Sequence, residues 1–126
     1  MTRPIDDDRD LILPIEVLGA TVLRAVATPV AGIDPGIRDL AGRMFATMYA
    51  AGGQGLAAPQ VGRSLRLAVV DVPDQGPRYV LVNPRVLWTS DERERGVEGC
   101  LSIPGVHGTV ERPAAVAVES LGLDWE

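Results

Sequence analysis

The sequence has little of several residue types, and each shortage argues against a class of protein. Its single cysteine, Cys100, cannot form a disulfide within the chain, so nothing indicates a disulfide-stabilised secreted scaffold. No apolar run approaches the roughly 20 residues that cross a bilayer, and the polar, acidic N-terminus is unlike a signal peptide. Acidic residues outnumber basic ones by 17 to 12, without a basic face for phosphates. We therefore expect a cytoplasmic protein that binds neither membrane nor nucleic acid directly.

The rest of the composition is typical of one globular domain. The 126 residues are 46% hydrophobic and 23% charged, and with aromatics at 4% the core must be mainly aliphatic. Residues 1–10 are acidic and nearly devoid of apolar side chains, so they are predicted to be a mobile tail. Residues 11–126 are predicted to form a single domain. Its first part, residues 11–30, is interrupted by proline and glycine, which favours an extended arm with at most a turn of helix.

One helix is clearly predicted. Asp34 is a good N-cap residue, and Pro35 suits the first helical position. Apolar residues then recur on one helical face: Ile37, Leu40, Ala41, Met44, Phe45 and Met48. Gly52 and Gly53 favour termination there, so the helix is predicted to span Pro35 to Ala51.

Two short strands are predicted on either side of the proline-containing turn at residues 73–77. Residues 65–72 and 79–82 are rich in β-branched side chains, and Asn83-Pro84 is expected to end the second strand. A last strand is expected at residues 116–121. The charged run at 91–95 is interpreted as a solvated loop. The predicted class is α+β, with short, mostly antiparallel strands around one helix.

Two glycine-rich segments are candidates for a functional site. They are residues 53–60, GQGLAAPQ, and residues 98–105, EGCLSIPG, which contains Cys100. Small residues allow a backbone or an extended ligand to approach closely, although Gly-x-Gly alone is weak evidence. A phosphate-binding loop is disfavoured because no Lys-Ser/Thr follows and Pro59 removes an amide. An isolated cysteine is most often buried and inert, so Cys100 needs further support.

That support comes from a family resemblance. GQGLAAPQVG and EGCLSIPG resemble the first and second signature motifs of the peptide deformylases, in the family's order and spacing. VLRAVATPV, LVNP and VERP are also similar to the family pattern, so the resemblance covers roughly residues 14 to 124. It implies a peptide deformylase-like fold and a metal-dependent hydrolase that removes the formyl group from the N-terminal formyl-methionine of nascent polypeptides.

The resemblance also implies roles for individual residues. Cys100 would be the thiolate ligand of one divalent metal, iron(II) by resemblance, with zinc, nickel or cobalt as alternatives. The side-chain amide of Gln60 and the backbone N–H of Leu101 would donate hydrogen bonds to the formyl oxygen. Preorganised donors of this kind are each worth about 2.7–4 kcal/mol in the transition state.

Further residues would shape and support this site. Gly53, Gly55 and Gly99 would let the substrate backbone lie against the protein as an added strand. Glu98 and Arg112 would form a buried ion pair that holds the cysteine segment, the alternative being two independent surface charges.

The third family motif, HExxH, does not occur in the sequence. That spacing places two imidazoles on one helix face, and catalytic zinc-type sites take three protein ligands. The only histidine is His107, in the segment GVHG. We therefore predict that the domain is incomplete at its C-terminus, lacks the metal-binding helix, binds metal poorly and is inactive alone. An apolar groove should be exposed where that helix would pack, and the chain could oligomerise through it.

Two hypotheses for function follow. The first is a peptide deformylase acting on formyl-methionyl peptides. The second is a deformylase-like binding protein that holds such peptides, or a partner, without hydrolysis. A nucleophile–base pair of Cys100 and His107 is a weaker alternative, because no third orienting group is identifiable.

Overall fold

The computed structural model describes residues 11–124, which form one α-helix and six β-strands. The elements are β1 to β6 and α1, in this chain order: α1 Pro35–Ala50, β1 Gly55–Ala57, β2 Leu67–Val70, β3 Tyr79–Thr89, β4 Arg93–Cys100, β5 Ile103–Pro113 and β6 Val116–Leu121. Short 3₁₀ turns lie at Thr21–Leu23 and Ala58–Val61. The predicted tail, residues 1–10, lies outside the described residues, and the division into tail and domain stays a prediction. No helix within residues 11–124 has the length and apolar character needed to cross a bilayer.

The helix α1 forms where the sequence predicts it, and it ends one residue earlier. The Asp34 carboxylate accepts a hydrogen bond of 2.8 Å from the backbone N–H of Ile37, which is the expected N-cap contact. Past the C-terminal end, Gly52 has a φ of +73°, a conformation that glycine adopts without strain. The predicted apolar face is the buried face, with these side chains buried: Leu40, Ala41, Met44, Phe45 and Met48.

The core lies between this face of α1 and a four-stranded antiparallel sheet in the order β1-β2-β3-β6. The sheet contributes Leu56, Leu67, Val69 and Val82, each of them 2% exposed or less. Aliphatic side chains thus fill most of the interior, as the low aromatic content predicts. The remaining strands, β4 and β5, pair only with each other within the described residues, as a separate antiparallel hairpin. The predicted α+β class with antiparallel strands is confirmed.

One strand runs further than predicted. Asn83-Pro84 does not end β3, which continues to Thr89. The chain passes this point through a register shift between Val82 and Arg85, and Asn83 takes a left-handed conformation with a φ of +52°. The Asn83 side chain compensates by accepting from the N–H of Val30 at 2.7 Å and donating to the carbonyl of Val30 at 3.0 Å. The proline is tolerated because the ladder is already interrupted there.

The charged run at 91–95 is only partly a loop. Residues 93–95 begin β4, and every residue of that strand is exposed. A hairpin with no buried face carries no alternation of apolar and polar residues, so composition alone cannot separate it from a solvated loop. The second motif therefore lies largely in a hairpin: its cysteine ends β4, and Leu101 and Ser102 form the turn into β5.

The predicted arm crosses the helix and both motifs. The backbone N–H of Leu13 donates to the Thr47 hydroxyl on α1 at 2.8 Å. Further along, the N–H of Glu16 donates to the Gln60 carbonyl at 2.7 Å, and that of Leu18 donates to the Ser102 carbonyl at 2.8 Å. The arm therefore joins the backbones of two segments that are 42 positions apart in sequence.

Large apolar side chains are exposed on β3 and on the edge strand β6. Exposed large side chains of β3 and β6 include Val86, Leu87, Trp88, Val116 and Val118. The structure contains one chain, and oligomerisation through this surface stays a prediction.

Candidate active site

The two motifs face each other across an open cavity of about 550 Å³, here called the Cys100 cavity. One wall comes from the end of α1 and from β1, and the other comes from the β4–β5 hairpin. The lining residues are Gly52, Gly53, Gln54, Gly55, Gln60, Val97, Glu98, Gly99, Cys100, Leu101 and His107. The structure thus brings together every site residue named from the sequence except Arg112, which does not line the cavity but contacts Glu98.

Gln60 lies in the 3₁₀ turn that follows β1, and its side-chain amide is held in one orientation. The amide oxygen accepts a hydrogen bond of 3.0 Å from the backbone N–H of Ala57. Because a backbone N–H requires an acceptor, this contact assigns the oxygen end and turns the NH₂ end the other way. The NH₂ group lies 3.2 Å from the Ser102 hydroxyl oxygen and 3.5 Å from the Cys100 sulfur. Gln60 therefore presents a donor to the sulfur side of the Cys100 cavity.

Leu101 fixes the distance between the two walls. Its side chain packs against the hydrophobic core and directly over Gly53. A Cβ atom at position 53 would lie 2.7 Å from the Leu101 Cδ1 atom, closer than real contacts allow. The Leu101 side chain would have to shift to admit a larger residue, so this contact favours glycine at position 53, in addition to any role in peptide binding. Cys100 itself is exposed and unpaired with another cysteine.

His107 is a cavity residue that the sequence analysis did not assign to the site. It lies opposite Gly99 in the β4–β5 register, with its imidazole over the glycine. A Cβ atom at position 99 would lie 2.7 Å from the His107 Cδ2 atom and 2.9 Å from Nε2. The signal that could have identified His107 is this hairpin register, which was hidden because the start of β4 was interpreted as a loop.

The contact between Gly99 and His107 predicts a measurable coupling. Gly99→Ala should show an interaction energy of about 0.5–3 kcal/mol with His107→Ala, whereas Gly96→Ala should show none, because residues in contact couple by this amount. Gly96 is the matched control, as it lies in the same strand and a Cβ atom there would meet nothing within 4 Å. Urea denaturation of the single variants and of each combined with His107→Ala measures the effect. An equal cost of Gly99→Ala with and without the imidazole would contradict the contact.

Each wall of the Cys100 cavity includes a strand with one unpaired edge. The strand β1 pairs only with β2, and β4 pairs only with β5, within the described residues. At Gly55 a Cβ atom would have ordinary contacts, the nearest being the Val69 carbonyl oxygen at 3.8 Å. The fold therefore does not itself require glycine at position 55, which leaves this edge open for another backbone.

Glu98 and Arg112 form an ion pair across the hairpin. The shortest contact, between Arg112 Nη2 and Glu98 Oε1, is 3.2 Å, and Nε lies 3.3 Å from both carboxylate oxygens. The side chains are 64% and 45% exposed for Arg112 and Glu98, so the expectation of a buried pair is wrong. Since the hairpin lacks a covered face, solvent reaches both groups. Exposed pairs contribute about 0–1 kcal/mol, and the supporting role of this pair stays a prediction.

Within residues 11–124, no three His, Cys, Asp or Glu side chains are grouped as metal ligands. Cys100 and His107 both line the Cys100 cavity, and Cys100 is the one ligand that the motif assigns. The described residues thus do not fit a three-ligand metal centre by themselves.

Comparison with known proteins decides the family. The model of the polypeptide deformylase family matches residues 12–126. This chain belongs to the polypeptide deformylase family. The deformylase of Bartonella bacilliformis is 48% identical over 125 residues, covering 91% of this chain and 68% of the relative. The deformylase of Rhizobium meliloti is 50% identical over 111 residues, covering 86% of this chain and 64% of the relative.

Solved deformylase structures agree with this fold. The enzyme from Thermotoga maritima superimposes with a TM-score of 0.86 at 38% identity, covering 91% of this chain and 77% of that chain. A Met-Ala-Ser-bound deformylase from Acinetobacter baumannii gives a TM-score of 0.87 at 37% identity, covering 91% and 79%. The predicted deformylase-like fold is confirmed. Deformylases are metal-dependent enzymes, and this chain spans about two thirds of the length of its first curated relatives.

Proposed function

We propose that this chain is a peptide deformylase polypeptide, which binds the formyl-methionyl N-terminus of a nascent chain and removes its formyl group by hydrolysis. The observation that carries the proposal is the fixed Gln60 amide. Its oxygen is bound to the Ala57 N–H, and its NH₂ end points to the Cys100 sulfur. A donor held in this way can meet the formyl oxygen without reorganising, which is the requirement for stabilising an oxyanion.

Leu101 is the proposed second donor. Its backbone N–H follows Cys100 directly, at the turn from β4 to β5. The Leu101 side chain is anchored in the core and over Gly53, so its backbone has little freedom. Two donors on opposite walls of one cavity would hold the formyl oxygen between them.

The peptide itself is proposed to bind between the edges of β1 and β4. An added strand satisfies its backbone groups by pairing with an open edge, and both strands line the Cys100 cavity. Gly53, Gly55 and Gly99 line this path. The Met-Ala-Ser ligand of the Acinetobacter baumannii relative is a peptide of the class expected after deformylation.

Cys100 is the proposed metal ligand, and iron(II) is the first metal to test, with zinc, nickel and cobalt as alternatives. The described residues supply this one ligand of the three that such a centre needs. The proposed substrate, a nascent polypeptide, is consistent with activity in the cytoplasm. Assembly of two copies through the exposed apolar strands remains part of the proposal.

A second candidate function can be tested in the same experiment. In this alternative the chain binds formyl-methionyl peptides, or a partner, without hydrolysis. It needs Gln60, Leu101 and the glycine-lined edges, but it does not need a metal centre.

One experiment on the purified 126-residue protein separates the candidates. Calorimetry compares binding of formyl-Met-Ala-Ser and Met-Ala-Ser, and a coupled assay measures formate release after addition of iron(II), cobalt or nickel. Formyl-selective binding with metal-dependent formate release, lost in Cys100→Ser, supports the deformylase proposal. Selective binding without formate release supports the binding protein. Absence of any preference for the formylated peptide contradicts both.

A further inference from the structure

Ser102 is a buried polar residue next to the proposed site. It is 4% exposed, although nearly all of its neighbours in the β4–β5 hairpin are exposed or half-buried. Its hydroxyl oxygen lies 3.2 Å from the Gln60 amide nitrogen. Buried hydroxyl groups require partners, and here the partner is the very side chain proposed to bind the formyl group.

The contact with Ser102 determines which N–H of the Gln60 amide faces Cys100. A glutamine amide has one oxygen and two N–H groups. The oxygen is bound to the Ala57 N–H, and one N–H can be assigned to the Ser102 hydroxyl. The second N–H is then the one that faces the Cys100 sulfur, at an N···S distance of 3.5 Å.

The backbones of both residues are held by the same segment of the arm. The Gln60 carbonyl accepts from the Glu16 N–H at 2.7 Å, and the Ser102 carbonyl accepts from the Leu18 N–H at 2.8 Å. The relative position of the two side chains is therefore fixed by two hydrogen bonds to one short stretch of chain. The contact joins two residues whose main chains are already restrained.

We propose that Ser102 is a positioning residue: its hydroxyl accepts one N–H of the Gln60 amide and thereby directs the other at the formyl oxygen. Ser102 thus sets the preference for formylated over unformylated peptides without touching the substrate. This inference rests on the proposed function, because it concerns the donor that Gln60 offers in the same cavity.

Removing the hydroxyl should affect one property selectively. In Ser102→Ala the Gln60 amide keeps its hydrogen bond to Ala57 but loses the one to the Ser102 hydroxyl, so one N–H has no partner. The preference for formyl-Met-Ala-Ser over Met-Ala-Ser should fall about 3- to 10-fold, the effect of one neutral hydrogen bond. Binding of Met-Ala-Ser should not change, because that peptide offers no formyl oxygen.

The test compares three serine variants by calorimetry with both peptides. Ser102→Thr retains a hydroxyl and should restore most of the preference. Ser120→Ala is the control, since its hydroxyl contacts only the carbonyls of Val82 and Leu121, at 3.3 and 2.8 Å, and does not line the cavity. A side-chain ¹⁵N–¹H spectrum of the wild type gives a second readout. The Gln60 amide protons should exchange more slowly than those of exposed Gln75.

The outcomes distinguish the inference from the function on which it rests. A wild-type formyl preference that survives unchanged in Ser102→Ala overturns the role of Ser102 and leaves the proposed function standing. Equal loss of affinity for both peptides also overturns it, because a general structural defect would have that effect. A wild type without formyl preference overturns both. If Ser102→Ala does not fold, the exchange readout decides: Gln60 exchange as fast as that of Gln75 contradicts the proposal.

Discussion

Gln60→Glu is expected to lower the affinity for formyl-Met-Ala-Ser about 5- to 150-fold, because the bound formyl oxygen would lose its donor at a cost of about 1–3 kcal/mol. Glutamate keeps a side-chain oxygen that can accept the hydrogen bond from the Ala57 N–H, which is 3.0 Å long in the wild type, so the 3₁₀ turn should be retained. It replaces the NH₂ group, however, and offers the formyl oxygen a carboxylate in place of a donor. The variant therefore separates hydrogen-bond donation from local folding.

Calorimetric binding of the formylated and unformylated peptides measures this effect. Gln75→Glu, an exposed change outside the Cys100 cavity, is the control for added charge. The variant should bind formyl-Met-Ala-Ser no better than Met-Ala-Ser. A Gln60→Glu protein with an unchanged formyl preference would show that the donor lies elsewhere.

Met48→Ala is expected to destabilise the protein by about 2–5 kcal/mol, as truncation of a fully buried methionine does. Met48 is 0% exposed and lies in the hydrophobic core cluster. Its carbonyl also accepts from the Gly53 N–H at 2.9 Å, where the helix passes into the first motif. A cavity at this position therefore lies beside the backbone that forms one wall of the site.

Urea denaturation followed by far-UV circular dichroism measures the change in the free energy of unfolding. Leu87→Ala is the control, because Leu87 is 56% exposed on β3 and its truncation leaves no internal cavity. Its cost should lie within about 0.5 kcal/mol, as for most surface substitutions. Similar costs for the two variants would contradict the assignment of Met48 to the core.

The helix was predictable because its signals are local and mutually consistent. Asp34 and Pro35 mark its start, Gly52 follows its end, and the buried face repeats at helical spacing. The candidate site could be proposed for a different reason. Both motifs are long and specific, so the resemblance named Gln60 and Cys100 as candidates, and the structure places both at one cavity.

Features that depend on pairing over a distance were not predictable. The end of β3 was misplaced because Asn83-Pro84 is typical of a turn, whereas contacts with Val30 stabilise the irregular strand. The exposed hairpin has no apolar period, so its register and the position of His107 over Gly99 were hidden. Asn83 and Val30 are 53 positions apart, and Gly99 and His107 meet only through the register of the hairpin.

The burial of individual polar residues could not be predicted from the sequence either. Ser102 is buried because the arm and Gln60 cover it, while Glu98 remains half exposed in the same segment. Both residues are polar members of the same motif, so residue type alone does not distinguish them. The two positions differ because Glu98 lies in the exposed strand β4, whereas Ser102 lies in the turn that contacts Gln60.

The arrangement of the strands separates the two walls of the Cys100 cavity into different ladders. The wall formed by β1 belongs to the four-stranded sheet, whereas the wall formed by β4 belongs to a hairpin with its own ladder. We therefore expect a substitution at an exposed position of β4 to alter one side of the proposed peptide path while the register of the main sheet is retained.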